Sequence, residues 1–391
     1  MPASAKNTEI EALRGIAVSL AILTHLAVLL PFHTESLLRA YNTIAMPGTG
    51  VDLFFCISGF IVSRAFLEWF DELRAQGNFA LSIQAFWIRR FSRLMPTAML
   101  WVFVGTICAA FFNRTGVFGP VFENLRSATS ILTATGNFGN YYGLLLRPNE
   151  IYWSLALEQQ FYFLFPFFLA LIPKRWRAGV VVAGILLQLP IARTVHIAAP
   201  ASNHFMASLR TDSIFWGILV FLLSRTRHYQ QLEPWMLKHS RGAKAVATGL
   251  LLYLLVAMPA QFPLLPVTMG LVAAVSGAIV FLASYQQGYT TPFEGLGKIF
   301  AWIGARSYSI YIIHMLCYRL TFEAWSRYAT VRGAPLGVAD TVPMLLSAAA
   351  VLLLLTQLNH HFVELPLRNR GARMAAQRLR EYQSGGGPAG A

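Results

Sequence analysis

Residues 48–67 of the chain read GTGVDLFFCISGFIVSRAFL, a stretch whose only charged side chains are Asp52 and Arg64, near its ends. A helix needs about 20 mostly apolar residues to cross the hydrocarbon core of a bilayer. This stretch is long enough, and comparable stretches follow along the whole chain. They predict about ten membrane-spanning helices, at 12–31, 48–67, 94–112, 152–172, 178–197, 205–224, 245–262, 265–284, 300–321 and 342–361.

The composition agrees with a chain that lipid solvates over most of its length. Of the 391 residues, 56% are hydrophobic and 12% are charged, whereas a soluble protein carries about a quarter charged residues. Lys and Arg number 31 against 17 Asp and Glu. In a membrane protein this excess is typical of cytoplasmic loops and of contact with anionic lipid. Because no nucleic-acid-binding motif accompanies it, we expect membrane lipid and no nucleic acid as a partner.

The basic residues are concentrated in alternate loops, chiefly 64–93, 225–244 and the C-terminal tail. By the positive-inside rule these loops lie in the cytoplasm, and an even number of spans places both termini there. The predicted fold class is therefore an all-α polytopic integral membrane protein. We predict a transmembrane domain at 9–366 and a basic cytoplasmic tail at 367–391, the end of which is disordered.

One basic segment between the spans has an amphipathic pattern. Residues 74–93 alternate aromatic and aliphatic side chains with Arg89, Arg90 and Arg93. Amphipathic segments of this kind lie in the plane of the membrane surface. We therefore predict an interfacial segment before the third span.

Ionisable side chains inside the predicted spans are the candidate functional residues, because they are costly in hydrocarbon. Arg14 opens the first span, and His25 follows on the same helix face, ~16 Å further along the axis. Ser307, Tyr311 and His314 share one face of a later span. The candidates placed by depth in the outer half of the membrane are His25, Asp52, Glu158, Arg210, Asp212 and His314. Those placed at the inner edge are Arg14, Arg89, Arg90, Arg93 and Arg306.

The two groups suit two different reactants. Guanidinium groups bind phosphate through paired hydrogen bonds, so the inner arginines indicate a phosphate-bearing ligand from the cytoplasm. An imidazole with a nearby carboxylate suits a general base that takes a proton from a hydroxyl. In this sequence that combination is His25 with Asp52 or Glu158. Acyl transfer from a cytoplasmic thioester to an alcohol fits both groups.

Each candidate also has a structural explanation. Arg14 can reach the interface from a helix end, and Asp52 can cap a helix. His25 can hydrogen-bond a neighbouring helix, Glu158 can belong to a supporting ion pair, and His314 can be a satisfied core histidine. The alternative function is a secondary transporter of a small anionic solute. A transporter would have paired broken helices in two similar halves, and the sequence shows no such repeat.

Seven motifs follow one another in order along the chain. They are Glu11–Ala17 with His25, Gly50–Val62, Arg89–Pro96, Trp153–Tyr162, Arg210–Asp212 with Gly217, Ser307–His314, and Val363–Pro366. Together they resemble the membrane-bound acyltransferase-3 family, whose members O-acylate surface polysaccharides, peptidoglycan and some antibiotics. The resemblance extends over roughly residues 9–366.

The resemblance implies an O-acyltransferase of the bacterial inner membrane. The donor would be cytoplasmic acetyl-CoA or another short acyl-CoA, without a metal. The acceptor would be a hydroxyl of an extracytoplasmic glycan or glycolipid, such as lipopolysaccharide O-antigen or exopolysaccharide. Many relatives carry a hydrolase-like domain after the last span, and we expect this chain to be the stand-alone form. A homo-oligomer and a separate periplasmic partner both stay open.

The resemblance also implies roles for particular residues. His25 would be catalytic, either as a base or as a transient carrier of the acyl group, and we expect Asp52 and Glu158 to support it. Arg14, Arg90 and Arg93 would bind the donor or keep the site competent. The residues expected to contact substrate are Trp153, Ser154, Arg210, Asp212, Tyr311 and His314.

Overall fold

The computed structural model describes residues 7–141, 148–191, 208–263 and 265–384. These residues form helices and loops and contain no strand, which confirms the all-α prediction. The helices used below are labelled in chain order, and shorter helices keep their residue ranges. They are α1 (Thr8–Thr24), α2 (Gly50–Ala75), α3 (Phe79–Phe111), α4 (Tyr152–Leu171), α5 (Lys174–Gln188), α6 (Asp212–Ser224), α7 (Arg241–Gln261), α8 (Thr268–Ser284), α9 (Glu294–Ala305), α10 (Ser307–Arg332), α11 (Thr341–Asn359) and α12 (Leu365–Ser384).

Every predicted span overlaps at least one of these helices. Within the described residues, five helices are long and apolar enough to cross a membrane: Pro47–Ala75, Phe79–Phe111, Tyr152–Leu171, Arg241–Gln261 and Val338–Glu381. Helices α6 and α8 are apolar but shorter. The chain is therefore an all-α membrane protein. The number of ten spans and the side of the termini stay predictions, and parts of two spans, 192–197 and 205–207, lie outside the described residues.

Two of the predicted spans are interrupted at polar residues. Helix α1 ends just before His25, and a short helix at Leu26–Leu29 follows the turn. Helices α9 and α10 meet at Arg306. The stretches 12–31 and 300–321 are therefore not single helices. The first interruption frees the His25 backbone from the regular helix in the part of the chain where the candidate base was predicted.

The segment predicted as interfacial, 74–93, is largely continuous with the span that follows it. One helix, α3, begins at Phe79 and runs through both. Arg90 and Arg93 therefore stand on the same rigid helix as the membrane-spanning residues. They lie three residues apart, a spacing that places both on one side of the helix.

The segment after the last predicted span packs against this part of α3. Helix α12 is closest to α3 at Gly371, where a Cβ atom would stand only 2.4 Å from the Cβ atom of Ser92. Residues 367–384, predicted as a tail, therefore form a helix that contacts the transmembrane domain. Residues 385–391, in which we predicted disorder, lie outside the described residues.

Glycines allow the helices that carry the candidate residues to approach closely. A Cβ atom on Gly304 of α9 would lie 1.8 Å from the Glu11 carbonyl oxygen of α1. A Cβ atom on Gly217 of α6 would lie 2.0 Å from the Cys56 carbonyl oxygen of α2. Small residues at membrane helix crossings let backbones pack in direct contact, since lipid supplies little hydrophobic drive between helices. These crossings fix the positions of α1 and α2.

We expect Gly217→Ala to destabilise the protein by about 1–3 kcal/mol, because its methyl group overlaps backbone atoms of α2 that cannot move aside independently. The matched control is Gly249→Ala on α7, where a Cβ atom meets no atom within 4 Å. The control should be neutral or stabilising, since alanine favours a helix over glycine. Thermal unfolding in detergent checks both variants, and equal midpoints would contradict the close crossing.

Candidate active site

A cavity of 310 Å³ lies among α1, α2, α3 and α4. Its charged lining residues are Arg14, Arg90, Arg93, Arg368, Glu11 and Glu158. We name it the arginine cavity. The structure thus brings the three arginines predicted to bind the donor to one place, although they come from two helices distant in sequence. It adds Arg368, from the start of α12.

Two of these arginines are held by different kinds of contact. Arg14 is almost fully buried, lies 3.3 Å from a Glu11 carboxylate oxygen and donates to the Ser307 hydroxyl at 2.9 Å. Arg90 instead places its guanidinium 4.8 Å from the ring centre of Phe66 and 5.0 Å from that of Tyr162. Aromatic faces stabilise a cation without consuming its hydrogen-bond donors. Arg90 is therefore held in place while its N–H groups stay available to a ligand.

Arg93 faces the same cavity from the next turn of α3. The negative charges that act on it belong to Glu158, Glu364 and Glu11. Within the described part of the chain, its buried Nε atom has no hydrogen-bond partner. Burying a polar group without a partner is costly, so an unsatisfied guanidinium N–H in a cavity is typical of a site that a ligand completes.

Glu158 lines the arginine cavity. Its Oε1 atom accepts hydrogen bonds from the Ser58 hydroxyl, at 3.1 Å, and from the Tyr162 hydroxyl. The sequence predicts Glu158 and His25 at similar depth in the membrane. The structure places Glu158 between the arginines and a second, narrower cavity that it also lines.

This second cavity is small, at about 30 Å³, and we name it the tyrosine cavity. It shares Phe54 and Glu158 with the arginine cavity. On its wall the hydroxyls of Ser154 and Tyr311 lie 2.7 Å apart. The two cavities therefore adjoin each other, with the arginines in one and two hydroxyl groups predicted to contact substrate in the other.

Beyond Tyr311 lie the two histidines, which we name the histidine pair. The ring centres of His25 and His314 are 5.3 Å apart, and those of Tyr311 and His314 are 5.7 Å apart. His314 is fully buried, and its Nδ1 atom lies 2.6 Å from the Tyr311 carbonyl oxygen. A carbonyl only accepts, so Nδ1 carries the proton and Nε2 is left as an acceptor. Throughout the described residues that Nε2 atom has no hydrogen-bond partner.

Asp52 forms a third group with Arg210. Arg210 pairs with one oxygen of the fully buried Asp52 carboxylate, and the Ser213 hydroxyl donates to the other at 3.2 Å. The Arg210 guanidinium lies 5.8 Å from the ring centre of Trp153. These contacts join α2 to the start of α6, where the buried Asp212 is the first helical residue. Asp52 and Arg210 thus form a buried pair separate from the carboxylate Glu158.

Three charged features of the site were absent from the sequence prediction. Arg368 was assigned to the tail. The buried Arg319 forms an ion pair with the partly exposed Glu150, and theirs are the charges that act on His25. Glu364 is buried and accepts from the Ser309 hydroxyl at 2.6 Å. Arg319 lies inside the predicted ninth span, so the cost of a charge in hydrocarbon could have identified it.

Comparison with known proteins gives a consistent result. A family profile described as an acyltransferase domain matches residues 7–358. The chain is 25% identical to the peptidoglycan O-acetyltransferase OatA of Listeria monocytogenes, over 82% of this chain and 51% of the relative. It is also 25% identical to the putative peptidoglycan O-acetyltransferase YrhL of Bacillus subtilis, over 84% of this chain and 52% of the relative. A putative O-acetyltransferase of Staphylococcus aureus is 22% identical over 82% and 53% of the two chains. The chain spans about half the length of these relatives, and no solved structure matches it.

Proposed function

Because this chain belongs to the membrane-bound acyltransferase-3 family and is an acyltransferase, we propose that it moves an acetyl group from cytoplasmic acetyl-CoA to a hydroxyl of an extracytoplasmic glycan. The observation that carries the proposal is that the arginine cavity shares Phe54 and Glu158 with the tyrosine cavity, and that Tyr311 of the tyrosine cavity packs against His314 of the histidine pair. The arginine cavity supplies cations, and the histidine pair supplies a proton acceptor. A phosphate-bearing thioester would bind to the cations, and an alcohol that attacks it would give its proton to the acceptor.

In this proposal the arginine cavity binds the phosphate groups of the donor. Arg14, Arg90 and Arg93 supply the guanidinium groups, which suit phosphate oxygens in both charge and geometry. The acyl end of the donor then points past Glu158 into the tyrosine cavity. That cavity, at 30 Å³, holds about one water molecule in the present conformation. Entry of the acyl arm therefore requires its lining side chains, such as Phe54, to move.

His25 acts as the general base. It takes the proton from the acceptor hydroxyl as the hydroxyl oxygen attacks the carbonyl carbon of the thioester. The carbon–sulfur bond then breaks, the CoA thiolate leaves, and the proton held by His25 passes to that sulfur. The hydroxyls of Ser154 and Tyr311 lie on the wall of the tyrosine cavity and can donate to the carbonyl oxygen as it becomes negatively charged. A positioned base of this kind accelerates a reaction by about 10²–10⁴-fold.

The acceptor enters from the extracytoplasmic side, past Trp153, Arg210 and Asp212. We propose a glycan such as lipopolysaccharide O-antigen or exopolysaccharide, on a protein of the bacterial inner membrane that crosses the bilayer about ten times. The support is indirect, through relatives whose names state O-acetyl transfer to peptidoglycan. The chain spans about half the length of these relatives.

The proposal is tested in proteoliposomes with labelled acetyl-CoA on one side of the membrane and a soluble glycan acceptor on the other. We expect label on the glycan only when acetyl-CoA faces the cytoplasmic ends of the spans. Free CoA should appear on that same side in equal amount. Liposomes without protein are the control. Label that crosses the membrane without joining the glycan would indicate transport, and label transfer from either side would contradict the two-ended site.

A further inference from the structure

The arginine cavity contains one cation, Arg368, that belongs to none of the matched motifs. It lies on α12, beyond the end of the matching family domain at residue 358. Contact of Gly371 with Ser92 seats α12 directly on α3, next to Arg93. The electrostatic effects on Arg368 include repulsion by Arg93 and attraction by Glu364. The fold therefore brings two like charges together at one end of the cavity.

An anionic ligand bound between Arg93 and Arg368 would relieve this repulsion. Arg14 already has Glu11 and Ser307, and Arg90 is held between aromatic rings. Arg368 is partly exposed and, in the described part of the chain, donates no hydrogen bond, so its guanidinium group, like that of Arg90, is available to a ligand. The lining of the cavity has four arginines and two glutamates, a formal excess of two positive charges (4 − 2).

We propose that Arg368 binds the 3′-phosphate on the ribose of the CoA donor and so selects CoA over its form without that phosphate. The inference rests on the proposed function. If the acyl end points past Glu158 toward the tyrosine cavity, the nucleotide end stays at the opposite end of the cavity. Arg368 of α12 lines the arginine cavity and does not line the tyrosine cavity. The 3′-phosphate is a monoester on the ribose, separate from the 5′-diphosphate that joins the ribose to the pantetheine arm.

The experiment measures binding of CoA and of 3′-dephospho-CoA to the full chain in nanodiscs of uncharged lipid. The wild type should bind CoA about tenfold more tightly than dephospho-CoA, the effect of one charge-assisted hydrogen bond. Arg368→Ala should weaken CoA binding about tenfold and leave dephospho-CoA binding unchanged, so that the preference disappears. Arg368→Lys, which keeps the charge, should retain part of the preference.

Arg370→Ala is the matched control. It removes the same charge two residues further along α12, from an exposed position that does not line the arginine cavity. It should bind both ligands as the wild type does. A loss of preference in Arg370→Ala equal to that in Arg368→Ala would show a general effect of charge on α12 and overturn the assignment.

A lipid phosphate is the other source of the same chemistry, because α12 is rich in arginine and basic helices bind anionic lipid. Repeating the titrations in nanodiscs that contain phosphatidylglycerol separates the two. If Arg368 holds lipid, the variant should weaken CoA and dephospho-CoA equally, by an amount that depends on phosphatidylglycerol, and the proposal is wrong. If the wild type binds neither ligand, the donor itself is wrong and the proposed function fails first. Size-exclusion profiles establish that each variant is folded.

Discussion

His25→Ala is expected to lower acetyl transfer by about 10³-fold, within the range that a positioned general base contributes. The imidazole lies at the end of α1, with its ring centre 5.3 Å from that of His314. Without it, the acceptor hydroxyl has no base on the α1 side of the site, while the arginine cavity keeps all its lining residues. Donor binding should therefore stay close to that of the wild type. The measurement is the initial rate of label transfer from acetyl-CoA to a soluble glycan, together with CoA affinity.

His33→Ala is the matched control for this prediction. His33 lies eight positions further along the same segment, and its Nε2 atom is 2.8 Å from the Thr341 hydroxyl oxygen, outside the histidine pair. We expect its transfer rate to stay within about twofold of the wild type, since a partly buried surface hydrogen bond contributes little to the chemistry. Near-normal transfer by His25→Ala, or an equal loss in both variants, would remove His25 from its catalytic role.

The same assay distinguishes a base from a carrier of the acyl group. If His25 is a base, protein incubated with labelled acetyl-CoA in the absence of acceptor should release no CoA beyond slow hydrolysis and should retain no label. If His25 accepts the acetyl group first, label should be trapped on the wild type and be absent from His25→Ala. We expect no trapped label. Among the residues that the structure describes, the Nε2 atom of His314 beside His25 has no hydrogen-bond partner, which suits a role in proton transfer.

Hydropathy predicted the helical elements well, because the cost of unsatisfied backbone groups in lipid leaves little choice of structure. It could not predict the break at His25, since a turn inside an apolar stretch has the same mean hydropathy as a helix. Hydropathy also predicts how deep a side chain lies in the membrane, but it does not predict which side chains of other helices it contacts. Glu158 was grouped with His25 because both lie in the outer half by count, whereas the structure joins Glu158 to Ser58 and Tyr162.

Residues outside the motifs were the other gap in the sequence prediction. Arg368 follows the last predicted span, where the positive-inside rule already explains a basic residue, so composition gave no reason to separate it from Arg370. Only the packing of α12 on α3 places one of them in the arginine cavity. The Glu150–Arg319 pair was missed for a related reason. Its members come from a loop and a distant helix, and their contact depends on tertiary structure.

Arg93→Ala is expected to raise the KM for acetyl-CoA by about 100-fold and to leave the KM for the glycan acceptor unchanged. A 100-fold loss corresponds to about 2.7 kcal/mol, which is the range of one or two hydrogen bonds between charged groups. Arg93 stands in the arginine cavity with a buried Nε atom that is unsatisfied within the described residues. Removing Arg93 also takes away a positive charge that stabilises the carboxylates of Glu364 and Glu158. Protein yield and the thermal unfolding midpoint must therefore be measured beside the kinetics.

Arg89→Ala and Arg93→Lys decide whether the loss reflects phosphate binding. Arg89 stands on the same helix four residues earlier, does not line the cavity and should show nearly normal kinetics when replaced. Arg93→Lys keeps the charge and should recover only part of the affinity, because an ammonium group cannot bind two phosphate oxygens as a guanidinium does. An Arg89→Ala variant as impaired as Arg93→Ala would mean that the whole basic segment anchors the protein at the membrane surface. The arginine cavity would then not be the donor site, because an equal rise in KM for a residue inside the cavity and one outside it cannot arise from contact with the ligand.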